Sequence, residues 1–97
     1  MVVVHETFIC KPGKASQLAR LLKEVMKDSP AFMHIMTDMA AEFNSVIVLC
    51  QYESLAAYEQ YFEDYMRDSE ETREMKEKMK GYHDLYISGS RKFYKAW

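Results

Sequence analysis

The sequence is short of the features that assign a function most quickly. Its two cysteines, Cys10 and Cys50, are far apart in the chain and have no second pair. That matches neither a zinc knuckle nor the disulfide framework of a secreted domain, so buried free thiols are expected. There is no glycine-rich phosphate loop, no His-x-x-x-His pair and no clustered acidic loop, so neither a metal nor a bound cofactor is expected. Thirteen Lys and Arg are dispersed among fifteen Asp and Glu, with a formal charge of −2. No basic patch is available to neutralise phosphates, and a nucleic-acid partner is not expected. No apolar run approaches the roughly 18 residues of a membrane span. The N-terminal stretch also lacks the cationic lead and small-residue cleavage site of a signal peptide, which makes a cytoplasmic protein without membrane contact the expectation.

What is present is ordinary globular material: 97 residues, 48% hydrophobic and 29% charged, enough for one domain spanning residues 1–97. The hydrophobic period changes along it in an informative order. Val2 to Cys10 is rich in β-branched residues and stops at Lys11-Pro12-Gly13, a turn signal. From Ala15 the apolar positions Leu18, Ala19, Leu22, Val25 and Met26 recur at three and four, until Asp28-Ser29-Pro30 breaks the run. This predicts an amphipathic helix. Phe32 to Met39 alternates loosely, Asp38 to Asn44 reads as a loop, and Ser45 to Tyr52 holds the run Val46-Ile47-Val48-Leu49-Cys50, so a hairpin is expected. Ser54 suits the N-cap of a second helix with the stripe Leu55, Tyr58, Tyr61, Phe62, Tyr65 and Met66, a stripe read as helix packing. Asp68 and Glu71 resemble a capping box that restarts or bends this helix before it stops at Gly81, and Tyr82 to Ser90 reads as a fourth strand.

The order is therefore βαββαβ, an α+β ferredoxin-like arrangement with a four-stranded antiparallel sheet. Two right-handed crossovers place both helices on one face of the sheet and leave the other face bare. Strands one and three carry apolar residues at both parities: Val3 and Ile9 against Val4, Phe8 and Cys10, and Ile47 and Leu49 against Val46, Val48 and Cys50. An exposed apolar face of several hundred Å² is more than a soluble monomer usually shows. A homodimer joined through its sheet faces is expected.

Three segments carry a resemblance that spans nearly the whole chain: Glu6-Thr7-Phe8-Ile9-Cys10-Lys11-Pro12-Gly13-Lys14, the passage Glu42 to Tyr58, and Ser88-Gly89-Ser90-Arg91 followed by aromatics. Together with the element order they resemble the dimeric α+β barrel superfamily, in its NIPSNAP-like and antibiotic-biosynthesis-monooxygenase-like branches. The resemblance implies that position 6 faces the barrel interior between two subunits, together with Val4 and Phe8, while Val3, Thr7 and Ile9 face the helices. It turns Tyr52, Cys50 and Val48 inward as well and leaves Ile47 and Leu49 for the helix core. On strand two, Met33 and Ile35 suit the helix side, which sends His34, Phe32 and Met36 inward. On strand four, Leu85 and Ile87 suit the helix side, which sends Asp84, Tyr86 and Ser88 inward.

The implied site has Glu6 and His34 as the groups able to move a proton, and Phe8, Met36, Cys50, Tyr52, Asp84, Tyr86 and Ser88 around a small apolar or aromatic ligand. Glu6 is expected within reach of Asp84 or a tyrosine hydroxyl on the adjoining fourth strand. His5 and His83 receive no role, and a redox pairing of Cys10 with Cys50 is less expected than two core thiols. The sequence also departs from its relatives. NIPSNAP-like members tend to carry arginine where Glu6 stands, which removes or reverses any anion-binding role there. Haem-degrading members carry asparagine at that position, tryptophan at the Tyr52 position and a histidine on the following helix, whereas no histidine occurs from Ser54 to Gly81. Haem degradation is not implied. Two functions remain open: a cofactor-free, monooxygenase- or isomerase-like enzyme, and a non-catalytic ligand-binding or oligomerising module.

Overall fold

The structure is a computed structural model that describes residues 1–97. The chain runs β1 (Val2–Cys10), α1 (Ala15–Met26), β2 (Phe32–Thr37), β3 (Ser45–Tyr52), α2 (Leu55–Met66), α3 (Glu70–Lys78), one 3-10 turn (Tyr82–Leu85) and β4 (Tyr86–Lys95). The strands form one sheet in the order β2-β3-β1-β4, with every neighbouring pair antiparallel. This is the ferredoxin-like α+β arrangement read from the sequence. No helix is long and apolar enough to cross a membrane.

The element ends have local causes. Gly13, at φ 80°, closes the turn after β1, a backbone region that costs a residue with a Cβ more than glycine. Ser54 accepts the Ala57 N–H at 3.1 Å and caps α2, as its position suggested. The capping box falls one residue beyond the expected Asp68 and Glu71. Ser69 Oγ accepts from the Thr72 backbone, while Thr72 Oγ1 accepts from the Ser69 backbone, so α3 is a separate helix. Asp68 instead takes a two-pronged bond from Arg73, at 2.7 and 2.8 Å. In the hairpin loop Asn44 adopts φ 60°, and Asp38 Oδ1 accepts the Ser45 N–H at 3.0 Å, pinning the start of β3.

The core lies between the helices and one face of the sheet. Val4 and Cys10 from β1 and Val46, Val48, Cys50 and Tyr52 from β3 pack there with Leu18 and Leu22 of α1 and with Leu85. This reverses the expected faces of the two central strands. Val4, Glu6 and Phe8, and their cross-strand partners Cys50, Val48 and Val46, look toward the helices, while Ile47 and Leu49 lie on the other face. Both parities are apolar, so alternation alone carries no preference between them. The parity that seals is the one whose smaller Val and Cys side chains sit beneath Leu18 and Leu22.

The outer strands differ in a different way. Ile35 packs on the helix side as expected, and His34 and Met36 pair with Leu49 and Ile47 on the open face. A bulge at Met33 turns Phe32 to the helix side, opposite Cys50. β4 begins at Tyr86 rather than Tyr82 and continues to Lys95, because residues 82–85 form the 3-10 turn that follows Gly81 at φ 82°. A second bulge, where Ile9 pairs with Ser88 and Cys10 with Tyr86, leaves Ile87 exposed and puts Tyr86 on the helix side.

Leu18, with 0% of its surface exposed, should therefore dominate this layer. Leu18→Ala is expected to cost about 2 to 5 kcal/mol in urea unfolding, against less than about 0.5 kcal/mol for Leu55→Ala on the exposed side of α2. Equal effects would contradict the assignment of the core.

Candidate functional site

A half-open cavity of about 400 Å³ lies between the sheet and the helices, and fifteen of its nineteen lining residues are hydrophobic. Its floor is the helix-facing side of β1 and β3: Val4, Glu6, Phe8, Val48, Cys50 and Tyr52. Its roof comes from Leu22, Val25 and Met26 of α1, Tyr58, Tyr61, Phe62 and Tyr65 of α2, and Met75 of α3 with the adjoining Met79. Gly89 and Arg91 of β4 close one side. The aromatic stripe of α2 thus walls the cavity instead of only packing the helix. Tyr58 stands edge-on to Tyr52, Phe62 and Phe93, with centroids 5.2, 4.9 and 4.9 Å away.

Glu6 and Arg91 are the only charged residues in the lining. They are direct cross-strand partners in the β1–β4 ladder, so alternation aims both side chains at the same face. Arg91 Nη2 and Nε donate to Glu6 Oε2 at 2.9 and 3.1 Å, which leaves Oε1 without a hydrogen bond. The pair is partly shielded, with 23% of the Glu6 side chain and 43% of the Arg91 side chain exposed. Phe62 braces the guanidinium from the other side, its ring centroid 4.9 Å from Cζ. Burial pulls the Arg91 pKa down, but the hydrogen bonds and charge of Glu6 and the neighbouring Tyr58 outweigh it, and the net direction is up.

The surrounding polar groups are neutral. Burial is the main cause that pushes the Cys50 thiol up from 9.0 to about 11, with the Glu6 charge adding to it. Tyr52, Tyr58 and Tyr61 are all raised, first by burial. They stay protonated donors at physiological pH. The Tyr58 hydroxyl lies beside Arg91, whose charge and N–H groups draw its pKa down against the larger effect of burial; arginine can only donate, so the buried hydroxyl hydrogen has no acceptor. A buried donor in that state costs free energy until an acceptor arrives.

The residues singled out in the sequence divide between the two faces of the sheet. Glu6, Phe8, Cys50 and Tyr52 meet in a cavity that this chain alone encloses between its sheet and its helices. Tyr86 stands just beyond it, edge-on to Phe8 at 5.0 Å and hydrogen-bonded through its hydroxyl to His83 Nδ1 at 3.1 Å. His34, Met36 and Ser88 lie on the opposite face, where no shared site with Glu6 is available. Asp84 sits on the exposed 3-10 turn, off the ladder, and the partner of Glu6 is Arg91 instead. Cys10 and Cys50 share a face, but Cys50 lies opposite Val4, about 20 Å along the strand from Cys10, so they do not form a redox pair. Arg91 and the α2 aromatics were absent from the expected site. The available signals were the Ser88-Gly89-Ser90-Arg91 segment and the width of the α2 stripe.

These neutral groups make the fold alkali-sensitive. A thiol raised in the folded state contributes stability that is fully present below about pH 9 and is lost as pH rises through about 11. For Cys50 the loss should be on the order of 2 to 3 kcal/mol, and the buried tyrosines act in the same direction. Urea midpoints should fall over that window, and Cys50→Ala should flatten part of the fall. A midpoint constant from about pH 8 to about pH 11 would contradict the burial of these groups.

No protein-family model and no curated protein matches this sequence. In three dimensions the chain is similar to a NIPSNAP domain protein from Burkholderia xenovorans, at 13% identity and a TM-score of 0.80 over all of this chain and 95% of that one. A NIPSNAP family protein from Agrobacterium tumefaciens gives 13% identity and a TM-score of 0.80 over 97% and 90% of the two chains. A putative antibiotic biosynthesis monooxygenase from Deinococcus radiodurans gives 12% and 0.60 over 100% and 93%. What is shared at these identities is the fold: this chain has the α+β fold of the NIPSNAP and antibiotic-biosynthesis-monooxygenase structures, bearing out the resemblance seen in its sequence.

Proposed function

We propose that this protein binds a small apolar or aromatic molecule in the cavity between its sheet and its helices, and that it does so as a homodimer joined through the open sheet faces. The observation that carries the first part is the cavity. Protein interiors are close-packed, whereas this half-open space of about 400 Å³ falls in the size range of small-molecule sites and is lined almost wholly by apolar side chains, so water in it finds few hydrogen-bond partners. A space of this size, walled by aromatics and methionines with one converging polar end, fits a ligand rather than a packing defect.

The homodimer is supported by the face opposite the helices, where Val3, Ile9, Ile47, Leu49 and Met36 lie uncovered among His5, Thr7, His34 and Lys92. Covering several hundred Å² of such surface at about 25 cal/mol per Å² stabilises an assembly by many kcal/mol.

A second reading, a cofactor-free enzyme, has one observation in its favour. Glu6 Oε1 is left without a hydrogen bond while Arg91 holds Oε2, so one carboxylate oxygen is available to accept a proton from a bound substrate. The monooxygenase named among the similar structures supports that reading only through the shared fold.

Gly89 tests the ligand site. A Cβ there meets only Thr7 O at 3.5 Å and the Phe8 ring at 3.6 Å, ordinary contacts, so a side chain fits the backbone and fills cavity space. A neutral naphthylamine fluorophore should bind saturably at one site per chain, and Gly89→Leu should weaken it at least about tenfold with the melting temperature retained. Saturable binding unaffected by Gly89→Leu would move the ligand elsewhere. For the assembly, sedimentation at micromolar concentration should give a dimer that Ile47→Lys dissociates; a compact wild-type monomer would sink the dimer.

A further inference from the structure

Two charges of opposite sign at the polar end of an apolar cavity raise the question of what charge the ligand carries. Glu6 and Arg91 cancel each other, and every other lining residue is uncharged, the thiol and phenols included. An incoming anion would meet the free Oε1 of Glu6, and an incoming cation would meet a guanidinium already fixed by Glu6 and Phe62. Either would bury an unpaired charge in a mostly apolar space. The group that lacks a partner is a neutral donor, the Tyr58 hydroxyl, buried beside Arg91.

Resting on the reading of this cavity as a ligand site, we propose that its ligand is uncharged and carries a carbonyl-type acceptor that takes the Tyr58 hydroxyl, and that Glu6 sets this preference by neutralising Arg91. Glu6 is then a specificity determinant. The apolar body of the ligand lies among the α2 aromatics and the methionines, and its oxygen becomes the acceptor of Tyr58 when that hydroxyl, closed off from the cavity in the ligand-free protein, turns toward it. Removing the Glu6 charge while keeping its shape leaves Arg91 as an uncompensated cation with free N–H donors, a ready fork for a carboxylate. The same cavity then favours an anion.

Three probes of one shape separate these claims: a dimethylaminonaphthalene bearing an acetyl group, the same ring bearing a carboxylate, and the bare ring. The wild-type protein should bind the acetyl probe about tenfold more tightly than the bare ring, one net hydrogen bond's worth, and the carboxylate more weakly than either. Tyr58→Phe should bring the acetyl probe down to the affinity of the bare ring. Glu6→Gln should reverse the order, with the carboxylate bound at least about tenfold better than the acetyl probe. Equal wild-type affinity for all three would overturn the proposal while leaving the cavity as a binding site. Should Glu6→Gln not fold, Tyr58→Phe decides, and an acetyl advantage surviving that change would overturn the role of Tyr58. Failure of all three probes to bind would overturn the ligand site and this inference together.

Discussion

The position of β1 at the centre of the sheet constrains the rest of the site. Flanked by β3 on one side and β4 on the other, β1 has its register fixed twice. Once Val4 and Cys10 are sealed beneath α1, the period of two sends Glu6 into the same layer. A carboxylate there needs a partner, and the β4 ladder supplies Arg91 directly opposite. The cavity is what remains where the α2 aromatics and the methionines do not close over this pair. Fold and site are therefore one packing problem: sealing the layer on both sides of position 6 places an ion pair within it.

The ion pair is held from several directions at modest strength. Partly exposed pairs contribute little to stability on their own, but this one is also fixed by a cross-strand register and by an aromatic ring. Its larger consequence is electrostatic. It keeps the net charge of the cavity at zero, while burial first, with the Glu6 charge adding to it, holds Cys50, Tyr52 and Tyr61 in their neutral forms. The site is consequently a neutral, mostly apolar volume with fixed donors. This is the environment in which one unsatisfied hydroxyl has the most influence on what binds.

The element order, the limits of α1, the Ser54 cap and the hairpin were legible because each rests on local chemistry: helical period, turn residues, a capping hydroxyl. The face of the sheet was not legible. Val46, Val48 and Cys50 are no more hydrophobic than Ile47 and Leu49, and the choice depends on which set fits beneath Leu18 and Leu22, a tertiary fact. The two bulges compounded this. Phe32 and Tyr86 change sides where a residue is inserted into the ladder, and uninterrupted alternation across a strand cannot register that. Arg91 falls outside the expected site because a fourth strand read as Tyr82 to Ser90 stops one residue short of the partner of Glu6. Its pairing is visible only when the strand is allowed to run to Lys95.

The central claim is that ligand enters the layer between sheet and helices and not the open face. Chemical-shift mapping with a neutral aromatic ketone addresses it most directly, because neighbouring residues on one strand report opposite faces. The account expects perturbations at Val48 and Cys50 on β3 and at Tyr58, Tyr61 and Phe62 on α2, with Ile47, Leu49 and His34 unmoved. Perturbations confined to Ile47, Leu49, His34 and Met36, with the α2 aromatics silent, would contradict it.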